Sequence, residues 1–546
     1  MRRAWDLTLC ALAAVMTFIA FPTALAPEWT FWPLLWVSHV PLLWLLRDKD
    51  PKQAFRWGLA CGTLINAGGY YWIAEMLERF GHLPTPVAAL GLALHSVYVG
   101  LMWGAWAWVN NRLANTTSLP VQWVAPLSMV TVELLTPRIF PAYMGNSQYL
   151  FTPIMQIVDV TGIYGVTFLL YRVNAVFFLW CRSLVEGRPQ PRAATWSTAA
   201  MLAGALVYGF IRIAQIDAQA EAAPKLEVGL VEGDVGIFES ETPDRARDHL
   251  LVQQRLSKAL EDDGAQLIIW SESAYRMPEV PRHGAAQIGP SSVPLVADWR
   301  EDKAKRTSYD DRMAPQRGFS TPLLYGSTSR AERPAPRFEG DTPDAYFNSV
   351  FLLDDGGRVQ GRYDKNYLLI GGEYIPFSEY FPWIFKMIPA AGDMAAGTTL
   401  KALEADLWGL GPVRIGVLVC YEGILPGFAR GLAAERPHFI VNGTNDDWFG
   451  LTAERWLHFA LTIPRAIEHR VPLLRPTLTG VSAVVDPTGR IVQHTAPTGV
   501  ETLRAAVPLM QSQTVYQQVG DAFAWTCVAL TVGALAFGRV RRGAMG

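Results

Sequence analysis

Charged side chains are crowded into one stretch of this chain, between about residues 217 and 520, and are sparse on either side of it. Half of the 546 residues are hydrophobic and only 18% are charged, so the flanks need a solvent other than water. Seven apolar segments precede the charged stretch, at about 7–26, 30–46, 57–77, 87–109, 119–137, 152–181 and 195–214, and an eighth follows at about 521–538. Each approaches or exceeds the ~20 helical residues that cross a hydrocarbon core. The expected architecture is an α-helical membrane bundle of about eight transmembrane helices plus one α/β domain. Residues 1–216 would supply seven helices, 217–520 the globular domain, and 521–546 the eighth helix and a tail. Arg2 and Arg3 ahead of the first segment, with Ala24-Leu25-Ala26 behind it, also fit a cleaved signal peptide. The spans that follow at once favour a retained helix.

Basic residues set the expected orientation. Arg2 and Arg3, the group Arg47, Lys49, Lys52 and Arg56, Arg112, the group Arg182, Arg188 and Arg192, and Arg539, Arg541 and Arg542 fall on one side if every segment crosses. That side reads as cytoplasmic, which puts the charged domain outside, in the periplasm of a bacterium. The 78–86 loop and the stretch from Pro137 to Gln148 would lie beneath it. Trp29, Trp32, Trp36 and Trp44 read as interfacial or packing residues. Glu75, Glu133 and Arg172 fall in or near spans, where an ionisable group is costly and is either functional or paired within the bundle.

Inside the charged stretch, short β-prone runs alternate with helix-like ones. Strands are expected at Leu226–Val231, 267–270, Ser349–Leu353, 413–419, Phe439–Val441 and Ala483–Val485, and a helix at 243–262. The Pro- and Arg-rich stretch 280–345 reads as an insertion or long loop. Cys420 ends the strand at 413–419, as a nucleophile at a strand end would. Cys10, Cys61, Cys181 and Cys527 all lie in or beside the apolar segments, so Cys420 has no disulfide partner in the domain. A lone cysteine is by default a small buried hydrophobe. Glu272, closing the strand at 267–270, and Lys365 in Tyr363-Asp364-Lys365-Asn366 argue for more.

A thiol attacks an acyl carbonyl as thiolate, so it needs a base and nearby positive charge. Glu272 can take and return the proton, and Lys365 can favour the thiolate and stabilise a tetrahedral oxyanion. Either charge alone would read as a solvated side chain; the three together carry the signal. The nine histidines form no His-x-x-x-His pattern, there is no Cys-x-x-Cys, and no Gly-rich phosphate loop is present. No cofactor, metal or nucleic-acid partner is expected.

Trp270-Ser271-Glu272-Ser273, Tyr363-Asp364-Lys365-Asn366 with Gly372-Glu373-Tyr374-Ile375-Pro376-Phe377, and Val419-Cys420-Tyr421-Glu422 resemble the successive catalytic motifs of the nitrilase superfamily. Their form is that of its membrane-embedded branch, the apolipoprotein N-acyltransferases. Asn445-Asp446-Asp447-Trp448-Phe449-Gly450, Pro472-Leu473-Leu474-Arg475 and Asp486-Pro487-Thr488-Gly489 extend the likeness. So do Phe31-Trp32-Pro33-Leu34 and the run from Asp159 to Val166 in the apolar part, and nearly the whole chain outside 280–345 is covered.

The resemblance implies a four-layer α-β-β-α sandwich on an eight-helix bundle in the bacterial inner membrane, facing the periplasm. It implies ping-pong transfer of an acyl chain from a phospholipid, through a cysteine thioester, to the α-amino group of a diacylglyceryl-cysteine lipoprotein. Carried over by motif, Cys420 would become the thioester, Glu272 the general base and Lys365 the oxyanion partner. Glu373 and Glu422 would position them, and the Tyr421 backbone N–H would add to the oxyanion hole. A monomer is expected. Independently, the run of apolar residues Tyr367, Leu368, Leu369, Ile370, Tyr374, Ile375, Phe377, Tyr380, Phe381, Trp383, Ile384, Phe385, Met387 and Ile388 reads as an arm dipping into the interface or as ordinary packing against the bundle. Tyr367, Leu368, Trp448 and Phe449 are candidates for a substrate entrance. Ser271 where many members have Pro, Gly371 where Phe is usual, Glu232 and Asp234 where Gln and Asn are frequent, and Leu478 where Asn is common spare the triad and bear on donor and acceptor preference. A membrane-bound amidase, or an N-acyltransferase with another amine acceptor, is the alternative reading, and a non-catalytic scaffold the third.

Overall fold

The computed structural model describes residues 2–28, 30–236, 243–276, 314–332, 344–378, 380–381, 392–407 and 409–543. Trp29, most of the 280–345 stretch and the arm residues Trp383 to Ile388 lie outside the described residues.

The apolar flanks form helices that are more broken than a row of eight spans. Thr85–Thr116, Ile163–Glu186 and Arg192–Ala222 are long and apolar enough to cross a membrane, while Trp32–Leu46, Val121–Leu135 and Ala522–Phe537 are apolar but shorter. The expected span at 57–77 divides into Pro51–Gly69 and Trp72–Arg79. That at 152–181 divides into Thr152–Met155, Val158–Thr161 and Ile163–Glu186. Gly162, at φ 61°, makes the last of these breaks in a left-handed conformation that a side chain would resist. Hydropathy cannot tell lipid-facing residues from residues buried in protein. The apolar window of Ile163–Glu186 is 83% inside the molecule, whereas that of Arg192–Ala222 is 17% inside and faces outward.

The ionisable residues of the flanks tie pieces of the bundle together. Glu133 is buried and accepts the Met144 backbone N–H at 2.7 Å, anchoring the 137–148 loop. Arg172 lies 3.9 Å over the Trp123 ring and donates to Ser197 Oγ at 2.8 Å. Glu75 reaches out of the helix Trp72–Arg79 to Gly450 of the domain, and Arg79 pairs with Asp447 at 3.1 Å. Within the bundle, Thr85–Thr116 packs on Pro51–Gly69, whose Gly58 and Gly62 accommodate the Trp103 backbone and ring.

The globular part holds two six-stranded sheets. In chain order the strands are β1 (Lys225–Glu232), β2 (Leu267–Trp270), β3 (Leu323–Glu332), β4 (Asp344–Leu353), β5 (Val359–Asp364), β6 (Leu403–Asp406), β7 (Pro412–Val419), β8 (Phe439–Gly443), β9 (Leu473–Arg475), β10 (Ala483–Val485), β11 (Ile491–His494) and β12 (Glu501–Pro508). The sheet orders are β12-β1-β2-β3-β4-β5 and β11-β10-β9-β8-β7-β6. Alternation along the strands decides the layering. Leu226, Val228 and Leu230 of β1 meet Val413, Ile415, Val417 and Val419 of β7 in the core between the sheets. The opposite faces are covered by helices: Ala246, Leu250 and Leu260 of Pro243–Asp262 on one sheet, and Phe459, Ala460 and Ile463 from Glu454–Thr462 and its C-terminal edge on the other. The result is an α-β-β-α sandwich. β3 runs through the stretch read as an insertion and pairs with β2 and β4, so residues 323–332 belong to the sheet.

Sandwich and bundle are joined through buried polar contacts. Arg470 donates to Asp159 Oδ2 from Nε and Nη2 at 3.0 and 2.7 Å, and to Gln156 Oε1 at 2.5 Å. A guanidinium fully removed from water is tolerable only with such partners, so this contact fixes the two parts in register. The Tyr421 hydroxyl donates to the Ile139 carbonyl, and the Ala453 N–H to the Tyr71 hydroxyl.

Candidate active site

Glu272, Lys365 and Cys420 converge at one end of the two sheets. β1 and β2 are parallel, as are β7, β8 and β9, and open α/β sheets present side chains beyond the carboxyl ends of such strands. Glu272 lies just past the end of β2, Cys420 directly after β7 and Asn445 just after β8. Lys365 directly follows β5. The chain kinks sharply at two of these ends: Ser273 has φ 51° and Cys420 itself φ 50°. Such a conformation costs a non-glycine residue of order 1 kcal/mol or more, and its persistence means the surroundings hold Cys420 in place. Gly326 of β3 makes room, since a Cβ there would come within 2.5 Å of the Ser271 carbonyl oxygen.

All three side chains are buried, with Lys365 only 2% exposed. The Lys365 ammonium sits 2.8 Å from Glu373 Oε2 and 3.6 Å from Glu272 Oε1. Asn348, in the middle of β4, donates from Nδ2 to Glu272 Oε1 at 2.6 Å and to Glu373 Oε1 at 3.0 Å, bracing the two carboxylates against each other. The second Glu272 oxygen accepts the Asn445 backbone N–H at 2.9 Å, and Glu373 accepts that of Leu369 at 2.8 Å. The Cys420 thiol is close enough to Glu272 and Lys365 for the charges of both to act on it.

Burial raises the Glu272 carboxyl above the usual range, against the pull of Lys365. Burial also depresses the Lys365 ammonium, but Glu373, Glu272 and Cys420 more than offset this and hold it above an ordinary lysine. The thiol is pushed well up by burial and then by the Glu272 carboxylate, against Lys365. The expected thiolate-favouring effect of Lys365 is therefore outweighed: its charge is shared by two carboxylates, and the resting sulfur keeps its proton. Such an arrangement can pass a proton from sulfur to Glu272.

Glu422 is fully buried behind the site. It accepts the Val419, Asn366 and Tyr367 backbone N–H groups at 2.8, 2.7 and 3.0 Å and the Tyr363 hydroxyl at 2.9 Å. Burial pushes its carboxyl up to about 7 against those N–H donors. It thereby stitches the turn after Cys420 to the turn carrying Lys365. Glu422→Ala would orphan four donors, each costing about 1–3 kcal/mol where it is buried. The expected outcome is a thermal midpoint in detergent several degrees below wild type, with Glu422→Gln recovering part of the loss.

Tyr421 turns toward the apolar flank, its ring 6.2 Å from Phe140 and 5.9 Å from Tyr367. Tyr367 is exposed and Leu368 buried. Trp448 is half-buried, with its ring 4.6 Å from that of Phe80, and Phe449 is buried against Trp72 and Phe140. Of the apolar arm, Phe377, Tyr380 and Phe381 are exposed, whereas Leu369 and Ile375 are buried. Two spaces flank the site. A cavity of about 360 Å³, lined by Glu272, Arg276, Asn348, Glu373, Asn445 and Trp448, opens on its polar side. A narrow cleft lined by Tyr70, Trp72, Phe140, Phe449, Leu457 and Leu461 reaches Cys420 from the side of the apolar helices.

Asn348 and Asn445 were not among the residues expected from sequence. Asn348 carries one legible signal, a polar residue on the face of β4 that also gives Val350 and Leu352 to the core; Asn445 acts through its backbone, which no side-chain pattern reveals.

Fold and site together define a carbon-nitrogen hydrolase of the nitrilase superfamily built onto an apolar helical bundle, and residues 235–517 match the carbon-nitrogen hydrolase family. Residues 13–176 match the apolipoprotein N-acyltransferase N-terminal domain. The apolipoprotein N-acyltransferase of Geobacter metallireducens is 31% identical over 98% of this chain and 96% of its own length, and that of Bdellovibrio bacteriovorus 27% identical over 90% and 86%. A solved mutant of a Nesterenkonia AN1 amidase from the nitrilase superfamily is 18% identical, covers 54% of this chain and 95% of its own, and superposes with a TM-score of 0.34. This chain belongs to the apolipoprotein N-acyltransferase family.

Proposed function

We propose that this protein transfers an acyl chain from a phospholipid to the α-amino group of a diacylglyceryl-cysteine at the N-terminus of a lipoprotein, through a thioester on Cys420. The observation that carries the reading is the buried contact set joining Cys420, Glu272, Lys365 and Glu373 beside a cleft lined by residues of the apolar helices. Glu272 takes the thiol proton as sulfur attacks the ester carbonyl. Lys365 and the Tyr421 backbone N–H stabilise the oxyanion. Collapse breaks the acyl C–O bond, and the proton on Glu272 passes to the departing glyceryl oxygen. In the second half the α-amine attacks the thioester, Glu272 accepts its N–H proton, and the sulfur leaves and regains that proton.

Glu373 and Glu422 position the reacting groups. Trp448 lines the polar cavity and Phe449 the apolar cleft, and the entrance reading extends to Leu368 and to Tyr367, whose ring lies beside that of Tyr421. The domain would face the periplasm of a bacterial inner membrane, as the basic residues of the flanks favour, on about eight spans and as a monomer, with the divisions at 216 and 520 as domain limits.

Incubating the protein in detergent with labelled phospholipid and a diacylglyceryl-cysteine peptide tests this. The expected product is the N-acylated peptide, formed at least tenfold faster than free fatty acid. Equal discharge to water or to an unlipidated amine would instead favour the amidase reading. Because Glu272 must be ionised to act and burial raises it, the acid limb of thioester formation should fall above the ordinary glutamate value of about 4.3. A pH profile of the acylation burst checks this, with activity rising as pH rises through that limb.

A further inference from the structure

The cleft that reaches Cys420 from the apolar side is not wholly apolar. Glu454 and His458, one turn apart on the helix Glu454–Thr462, both line it. Each is at least nine-tenths buried, and each has one atom without a hydrogen-bond partner, Glu454 Oε2 and His458 Nε2. Apart from Cys420, the rest of the wall is aromatic or aliphatic, with Tyr70, Trp72, Phe140, Phe449 and Leu461 among it. The enclosed space is about 20 Å³, room for one water-sized group. An unsatisfied buried carboxyl in such a wall is expensive unless a ligand atom completes it.

The surroundings decide what the pair offers. Asp446 Oδ2 accepts from Arg475 at 2.8 Å, and Asp446 Oδ1 lies 2.7 Å from His458 Nδ1. The pairing with Arg475 and His458 holds Asp446 ionised despite its burial, so Nδ1 carries an imidazole proton, and the Cys420 carbonyl also acts on the ring. Arg475 already supplies the cation this cluster needs, which argues against a metal ion among Asp446, Glu454 and His458. Glu454 faces Asp446, His458, Arg455 and Arg475. Burial and then Asp446 push its carboxyl well above the usual range, against Arg475 and Arg455, so it is a neutral acid with a proton to donate. A carboxylic acid kept neutral in an apolar pocket is a strong donor to a substrate oxygen.

We propose that Glu454 is a specificity-determining donor that binds an ester oxygen of the acyl lipid beside Cys420. This deepens the function proposed above and rests on it. Two oxygens of a diacyl phospholipid have the required chemistry: the carbonyl oxygen of the reacting ester, and that of the second chain. Occupying the cleft with alkyl chain alone would strand the carboxyl, so a lipid without that oxygen is discriminated against.

The test measures kcat/KM for acylation of Cys420 in wild type, Glu454→Gln and Glu454→Leu, with a diacyl phospholipid and with one whose second chain is ether-linked. Rates are taken per folded protein, with the thermal melt of each variant measured alongside, so a loss of folded protein does not mimic an equal deficit on both donors. Glu454→Gln keeps a donor and is expected within about fivefold of wild type, whereas Glu454→Leu should fall about tenfold or more below Glu454→Gln. A deficit confined to the diacyl donor assigns the second ester; an equal deficit on both assigns the reacting ester. The proposal is overturned if Leu matches Gln on both donors, whether both are as active as wild type or both are equally impaired. Failure of wild type to acylate Cys420 with either lipid would instead count against the underlying function.

Discussion

Replacing Cys420 with alanine is expected to lower acyl transfer by about a millionfold, the scale seen when a covalent nucleophile is removed. The sulfur is the only thiol at the carboxyl ends of the two sheets; Cys10, Cys61, Cys181 and Cys527 all lie in the helical flanks. None can substitute for it. The fold should survive, because the kinked backbone at Cys420 is held by neighbours other than the sulfur: the Asn442 amide donates to its carbonyl at 3.2 Å and Glu422 accepts the Val419 N–H. Turnover with labelled phospholipid, alongside a thermal melt in detergent, measures both. Activity within tenfold of wild type in a folded Cys420→Ala protein would remove the thioester from the scheme.

Lys365→Met should be more damaging to the protein as a whole. The ammonium is the one cation within salt-bridge reach of both Glu272 and Glu373 among the described residues. Without it two carboxylates remain in a buried pocket where, among the described residues, Asn348 and backbone N–H groups are their hydrogen-bond donors. Breaking a buried ion pair from one side costs about 3–5 kcal/mol, so the melting temperature should drop clearly. Glu272 would also be driven to keep a proton, because the coulombic pull that lowers its carboxyl is gone. A protonated base cannot take the thiol proton, and the acylation burst should disappear. Lys365→Arg, which keeps the charge but not the geometry, should recover stability more than activity. A Lys365→Met protein as stable as wild type would mean that the two carboxylates are not held by this ammonium.

Local patterning carried the catalytic end of the molecule further than it carried the membrane end. β1, β2, β7, β8 and β10 were readable because they are short apolar runs buried on both faces. β6, β11 and β12 carry exposed positions along much of their length, and β5 is an edge strand of mixed polarity, so their strand character comes from pairing with a neighbour. The apolar runs at 57–77 and 152–181 looked continuous because a hydropathy window averages over Tyr70-Tyr71 and Gly162, where the chain turns. Glu272, Lys365 and Cys420 could be picked out as residue types that belong together in acyl chemistry. Asn348, Glu454 and His458 have no such mark. Each matters through a register or a helical face that exists only once β4 and the helix Glu454–Thr462 are packed.

The central claim is that a carboxylate, an ammonium and a thiol far apart in the chain act as one reactive centre on a lipid ester. Mass spectrometry of the Cys420 peptide, after incubation with a phospholipid of defined acyl chains and no amine acceptor, tests it most directly. The predicted spectrum shows one acyl group added to Cys420, removed by neutral hydroxylamine and absent in Glu272→Gln. An unmodified Cys420 in active protein, or the acyl group on another residue, would contradict it.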